Sequence, residues 1–440
     1  MDFYIVSIAV PAMLRSFRHV GIAEISWVFN GYAITFTAAL LPAGGLADRF
    51  GRRRVFLFGL STFLLSALVC AVAPSAPVLI AARCVQGVGG GIITPLALTL
   101  ILPQFPAERR GYAIGLWSAT QSAAVAAGPS LGGLLVSATN WRAVFLLQLP
   151  IGLTALVAAV WALDRDQPVE GGSRPPDLLG VLFLAAAIGL PSLAIVQSHA
   201  WGALNWRTDS VFCVGLVVGV AFVRRTLSHP VPVIDLGLLR NRMLRRANGV
   251  MLLTGLVMFA LPIGSVLFLT GVWGYSEAQA GLAITPGPVV QTLAALAGGR
   301  LCNRYGPRAL AVPAAVLLAA STLTFALGTS TQHRYWAVIF PAILGSSAAL
   351  GFLITSLSAV VVSEVPAAQL ASGTAMSVTA RAGGAVLSLS AFVLILSAVH
   401  GGTRTPFAYH VAWIAMTVIA VAAVAATFAL RQRSELVGAP

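Results

Sequence analysis

Two ionisable side chains stand in apolar sequence, where charge is expensive. Arg83 falls a few residues into the run Pro77–Leu102, and an arginine in hydrocarbon costs at least about 2.5–3.5 kcal/mol. It should therefore face other helices and hold a partner. Arg83, Gln86, Gly87, Gly90 and Thr94 follow helical spacing and make one polar, small-residue stripe. Asp2 is the one acid able to sit deep in apolar sequence. Burial favours a neutral carboxyl, and a neighbouring guanidinium favours the ionised one. Such a pair can take up and release a proton as its access to water changes. The competing reading of Arg83 is structural, an arginine satisfied by backbone carbonyls or by headgroups. Arg381 is a second cation inside an apolar run, with no acid in the same stretch of sequence. Carbonyls or a substrate anion are its options, and a structural role is expected.

The elements that must carry these residues are membrane helices. Hydrophobic residues make up 58% of the 440, and charged residues only 9%, against about 25% charged in a soluble globule. Apolar runs of roughly 20 residues recur along the chain, each long enough to cross the hydrocarbon as a helix. The short alternating segments of a β-barrel are missing. The expected fold class is an all-α polytopic membrane protein. Fourteen runs can be drawn: Met1–Leu14, Ile25–Ala47, Val55–Ala73, Pro77–Leu102, Gly111–Ala138, Ala143–Leu163, Leu178–Ser198, Asp209–Thr226, Ala247–Gly271, Ala278–Cys302, Ala309–Gly328, Tyr335–Val362, Gln369–Ala398 and Phe407–Leu430. Polar linkers, Asp164–Asp177 and Leu227–Arg246, set off the seventh and eighth. The division is six spans over 1–163, linkers and an inserted pair over 164–246, then six spans and a tail over 247–440.

The net charge of +14 does not point to nucleic acid, because the basic residues are spread among loops rather than gathered on one face. All 27 are arginines. With the turn at Arg49–Arg54 inside, about 19 of them lie on that side and about six opposite. That bias puts both termini in the cytoplasm. Cys70, Cys84, Cys213 and Cys302 have no paired spacing for a disulfide or zinc site. The first run would rise only about 21 Å at 1.5 Å per residue, which leads us to expect a natural start upstream, or a truncated product. Asp2 would lie at a frayed end otherwise. The mass of the native N-terminus checks this.

One loop is nearly repeated. Gly44 to Arg53 has its counterpart in Gly299 to Arg308, with Gly44 on Gly299, Arg49 on Arg304, Gly51 on Gly306 and Arg53 on Arg308. A repeated turn between spans implies a duplicated bundle. In the first copy Asp48 can pair with the arginines across the gap between helix ends, which would make the turn a latch. In the second copy Asn303 replaces Asp48 and Pro307 replaces Arg52, so a charged latch is weaker or absent there. Topogenic charge alone is the plainer reading of both.

Six spans, an inserted pair and six more, with these turns, resemble the major facilitator superfamily. More narrowly, the chain resembles its fourteen-span drug:proton antiporters. Gly44, Asp48, Arg49, Gly51, Arg52 and Arg53 match the signature turn G-x-L-A-D-R-x-G-R-(K/R), which implies a part in conformational gating. Arg83, in Leu79-x-x-x-Arg83-x-x-Gln86-Gly87-x-Gly89-Gly90-Gly91, resembles the motif whose arginine is linked to proton transfer. Asp2-Phe3-x-Ile5-Val6-x-x-Ala9-x-Pro11 is similar to the first-helix pattern L-D-x-T-I-V-N-V-A-L-P, with Tyr4 and Ser7 departing from it. Gly115, Gly128, Pro129, Gly132 and Gly133 resemble the antiporter motif G-x8-G-x3-G-P-x-x-G-G, with Ala124 for its second glycine, and imply export. Asp177-x-x-Gly180 resembles a further motif of the same group, with Phe183 where leucine is usual.

The resemblance implies two six-helix bundles of the major facilitator fold, with the first helix incomplete. It also implies a proton-coupled exporter of lipophilic or amphipathic small molecules, in a bacterial cytoplasmic membrane. Asn30, Phe36, Gln86, Trp117, Gln121 and Gln291 are candidate substrate contacts, chosen by orientation alone. The expected partners are that substrate, protons and the bilayer. No cofactor, metal or nucleic acid is expected, and the chain is expected to be a monomer. A dedicated exporter of one metabolite, and a membrane protein inactive for want of a full first helix, are the alternatives. Enzymatic activity is not expected, because no nucleophile, metal or phosphate-loop constellation appears.

Overall fold

In hydrocarbon every backbone N–H and C=O must be satisfied within its own segment, so apolar runs fold as helices. The computed structural model of the chain describes residues 2–17, 19–101, 104–106, 110–163, 177–202, 205–229, 234, 236–366, 369–399, 405–428 and 430. The linker residues Asp164–Pro176, and Arg18, Arg109, Arg404, Arg431 and Arg433, lie outside them. So do the side chains of Arg110, Gly115 and Trp117.

The helices are α1 (Asp2–Ser16), α2 (Ile22–Leu40), α3 (Ala43–Phe50), α4 (Arg52–Val72), α5 (Ala76–Ile101), α6 (Arg110–Ala138), α7 (Ala143–Leu146), α8 (Gln148–Ala162) and α9 (Leu178–Trp201). They continue as α10 (Trp206–Ser228), α11 (Arg242–Met258), α12 (Ala260–Gly271), α13 (Glu277–Ile284), α14 (Pro286–Tyr305), α15 (Pro307–Gly328), α16 (Phe340–Glu364), α17 (Leu370–Ala398) and α18 (Pro406–Phe428). Among the described residues eleven helical stretches are long and apolar enough to cross a membrane, or twelve with α2 and α3 taken as one bent span. Helices α1, only 15 residues long, and α6 occupy the expected first and fifth positions.

Several expected spans are broken rather than continuous, and proline explains each break. Proline lacks the N–H of the helical ladder and is tolerated in a first turn. Pro42 stands between α2 and α3, which meet at a 50° bend. Pro150 and Pro262 lie in the first turns of α8 and α12, and Pro286 opens α14.

The chain forms two compact units. The first comprises Met1–Ala124 and Leu134–Ile234. Its centre is α5, held between α2 and α4 by glycines on alternate faces. A Cβ on Gly87 would lie 2.5 Å from the Tyr32 carbonyl oxygen of α2, and one on Gly89 would lie 2.7 Å from the Gly59 carbonyl oxygen of α4. Phe3 packs edge-on against Phe29, 5.5 Å between centroids, and so seats α1 on α2. The inserted pair, α9 and α10, also belongs to this unit, and Gly189 of α9 faces Ile34 of α2.

The second unit comprises Val125–Gly133 and Asp235–Pro440. Helices α11 and α17 cross at reciprocal glycines: a Cβ on Gly255 would strike the Arg381 carbonyl, and one on Gly384 the Leu252 carbonyl. Trp413 stacks on Phe325 at 4.8 Å and leans on Phe392. The antiporter-motif segment of α6 falls in this unit. Gly133 meets the Glu277 carbonyl, Gly281 meets the Pro129 carbonyl, and the hydroxyls of Ser130 and Thr285 lie 2.5 Å apart.

Candidate functional site

Arg83 stands in the third turn of α5, on the face that the glycines bring against α2, and its side chain is fully buried. Its Nε donates to the Val28 carbonyl at 3.0 Å. Nη1 donates to Asp2 Oδ1 at 3.0 Å and to Gln86 Oε1 at 2.6 Å, and Nη2 donates to Asp2 Oδ2 at 2.9 Å. The Asp2 carboxylate is thus held by a two-pronged guanidinium fork, the geometry that makes arginine–carboxylate pairs strong and directional. The guanidinium also lies 4.1 Å from the centroid of the Tyr32 ring, where a cation is attracted by the ring face. The partner that a buried arginine requires is therefore Asp2, and one backbone carbonyl assists.

A fourth side chain completes the arrangement. Gln148, the first residue of α8, donates through Nε2 to Asp2 Oδ1 at 2.9 Å. Its Oε1 accepts from Gln86 Nε2 at 2.7 Å. Gln86 therefore has both ends of its amide engaged within the first unit. Gln148 and Tyr32 were not among the sequence candidates. The available signal was an amide in an otherwise apolar run, Ala143–Ala162, whose helix is interrupted at Leu147.

Other sequence candidates fall elsewhere. Asn30 is completely buried, and Phe36 stacks on Tyr32 at 5.8 Å between α2 and α5. Gln121 is exposed, and Gln291 is half-buried in the second unit. Arg381 lies in that unit too, with Nη1 3.7 Å from the Met258 sulfur.

In the first signature turn Asp48 pairs with Arg52 at 3.3 Å, with both side chains more than half exposed. An exposed pair one turn apart contributes only about 0.3–0.5 kcal/mol. Arg53 reaches further, donating to the Val160 carbonyl near the end of α8 at 2.7 Å. Gly51 has φ 98°, and Gly306 in the second copy has φ 85°, a region where a Cβ is strained. Gly44 and its counterpart Gly299 have nothing within 4 Å of a built Cβ. Close packing is thus not what requires glycine at those two positions. Arg49 lies over the Phe50 ring at 5.4 Å, and Arg304 over Tyr305 at 5.2 Å, so the repeat extends to this contact.

The Asp177-x-x-Gly180 spacing is a helix cap. Asp177 Oδ1 accepts from the Gly180 N–H at 2.9 Å at the start of α9, and from Arg225 Nη2 of α10 at 2.7 Å. Burial alone would push this carboxyl up. The Arg225 guanidinium, the Gly180 N–H and the nearby His229 outweigh burial and hold it below the usual carboxylate range.

Residues 1–389 match the family model described as Major Facilitator Superfamily. The chain is 32% identical over 341 residues to the methylenomycin A resistance protein of Bacillus subtilis, covering 76% of this chain and 72% of that one. It is 30% identical over 392 residues to a multidrug resistance protein B homolog of Mycobacterium tuberculosis, covering 88% of this chain and 72% of the other. Among solved structures, the inward-open xylose transporter XylE of E. coli superposes with a TM-score of 0.66 at 15% identity, covering 98% of this chain and 92% of that one.

Proposed function

The chain belongs to the Major Facilitator Superfamily, and on that premise we propose that it is a proton-coupled exporter of lipophilic organic molecules. In this reading it works by drug:proton antiport with alternating access, as a member of the fourteen-span group. The observation that carries the reading is the Asp2–Arg83 pair, a carboxylate and a guanidinium held at 2.9 Å inside apolar helices. Replacing both by apolar residues often costs nothing or stabilises, whereas removing one partner costs about 3–5 kcal/mol. A pair retained there has a use beyond stability, and reversible protonation is the chemistry a buried carboxylate offers. When Asp2 takes a proton, its attraction for Arg83 falls and α1 is freed to move against α5. When the proton leaves, the fork closes again. Each proton thereby selects one of two arrangements, which is how differential binding shifts a two-state transporter.

The relatives' names support small organic substrates, since two of them are called a methylenomycin A resistance protein and a multidrug resistance protein B homolog. A second reading, a dedicated exporter of one compound, takes its support from the Bacillus relative, named for methylenomycin A alone. The arginine bias favours a bacterial cytoplasmic membrane with both termini inside. Inverted vesicles energised with a proton gradient test the proposal. Accumulation of a fluorescent lipophilic cation that collapses with an uncoupler and is lost in Asp2→Asn is the expected result. Accumulation undiminished in Asp2→Asn would sink it.

A further inference from the structure

The four side chains at Asp2 form a closed ring in which each donor is dictated by the one before. Arginine can only donate, so the atom of Gln86 that meets Arg83 Nη1 at 2.6 Å must be its oxygen. That leaves the Gln86 nitrogen to face Gln148 at 2.7 Å, and so Gln148 must present its oxygen there. Its nitrogen is then obliged to point at Asp2 Oδ1, 2.9 Å away. An ionised carboxylate, which only accepts, is the group that fits the end of this chain. The ring joins three helices of the first unit, α1, α5 and α8.

The two oxygens of Asp2 are consequently unequal. Oδ1 receives two donors, Arg83 Nη1 and Gln148 Nε2, and both of its in-plane lone pairs are occupied. Among the described residues Oδ2 receives one, Arg83 Nη2 at 2.9 Å, one donor fewer than Oδ1. The Asp2 side chain is 14% exposed.

Resting on the proton-coupling reading above, we infer that Gln148 is a positioning residue, aligned by Gln86, that directs the proton to Oδ2. It does so by delivering the polarity of Arg83 to the carboxylate a second time, through two amides. Its N–H donation holds Oδ1 in place as an acceptor. When Oδ2 is protonated the guanidinium fork loses its charge complement, while Oδ1 remains an acceptor for Gln148. Gln148 then keeps α1 tethered to α8 as Arg83 lets go. The amide pair thus gives the released Asp2 a fixed place to return from.

The test is the pH profile of proton-driven uptake in inverted vesicles. It compares the wild type with Gln148→Met, Gln148→Glu, Gln86→Leu and the Gln86→Leu/Gln148→Met double variant. Methionine keeps the length of the side chain and removes the donor. A lost hydrogen bond to a charged group moves such a profile by about one pH unit, and the direction is toward higher pH. Gln148→Glu, which retains a polar group of the same size, should move it further the same way, by setting a second carboxylate against Asp2. Gln86→Leu should give a smaller shift of the same sign. The double variant should shift the profile at least as far as Gln148→Met alone, because Gln86 reaches Asp2 both through Gln148 and through Arg83. A merely structural pair of amides would lower the rate at every pH and leave the profile in place. If Asp2→Asn abolishes coupling while both Gln148 variants keep the wild-type profile, the inference is overturned and the transport reading stands. If Asp2→Asn retains full coupling, both are overturned.

Discussion

Arg83 and Arg381 are both arginines within apolar helices, one in each unit, and different groups lie against them. Arg83 has a carboxylate fork, a carbonyl, an amide and an aromatic face around it. Arg381 has a thioether at 3.7 Å, a soft and weakly accepting group. The signature turns differ in the same direction, with Asp48–Arg52 paired in the first and Asn303 in the corresponding place of the second. The two turns share a backbone device, the positive-φ glycines at 51 and 306. In the first unit an acid is bonded to the buried arginine, Asp2 on Arg83.

The sharpest way to break this contrast is to remove the cation from each unit. Arg83→Leu leaves Asp2 buried without its fork, and we expect a loss of about 3–5 kcal/mol of stability together with loss of proton-driven uptake. Thermal unfolding in detergent and vesicle transport read the two effects. The next largest effect is expected at the α2–α5 seam that places Arg83. Gly87→Ala should cost about 1–3 kcal/mol by overpacking, because the new methyl meets the Tyr32 backbone oxygen, which has no rotamer to yield. Transport rate should fall with it, whereas a surface control such as Gly44→Ala should leave the thermal midpoint unchanged.

Asp177 offers a smaller effect with a pH signature. Its carboxyl is held below the ordinary range, so it stabilises the fold above the unfolded-state value of about 4. That contribution is lost as pH falls through the folded-state value. Asp177→Ala should therefore cost about 0.5–2 kcal/mol at neutral pH through the missing cap, and more through the Arg225 pair. The gap from wild type should narrow in acid. A gap that is constant or widening below pH 4 would show that the pair with Arg225 contributes nothing. The smallest effect is reserved for Arg381→Met, which should leave the pH dependence of uptake where it is. A shifted profile there would undo the asymmetry between the units.

Charge made the central pair legible in the sequence. An arginine and an acid in apolar runs are costly enough that their presence alone demands partners. Gln148 was not legible, because a neutral amide near a helix end carries no comparable penalty and the break at Leu147 hides its periodicity. Arg225 was counted only toward topology, since nothing in its spacing announces a partner 48 residues away. The all-helical fold followed from hydropathy, but the breaks at Leu41–Pro42, Leu147, Phe259 and Thr285 did not. Proline marked them, and within membrane sequence proline is too common to be read as a stop. The glycines of α5 read as small residues. Which neighbour each one faces, α2 for Gly87 and α4 for Gly89, emerges only from packing.

The central claim is that Asp2 carries the proton that substrate displaces. Purified protein in weakly buffered detergent with a pH indicator measures it directly, on addition of a lipophilic cation that the vesicle assay identifies as a substrate. The account predicts acidification of the medium by the wild type and none by Asp2→Asn at equal substrate binding. Equal acidification by both would contradict it.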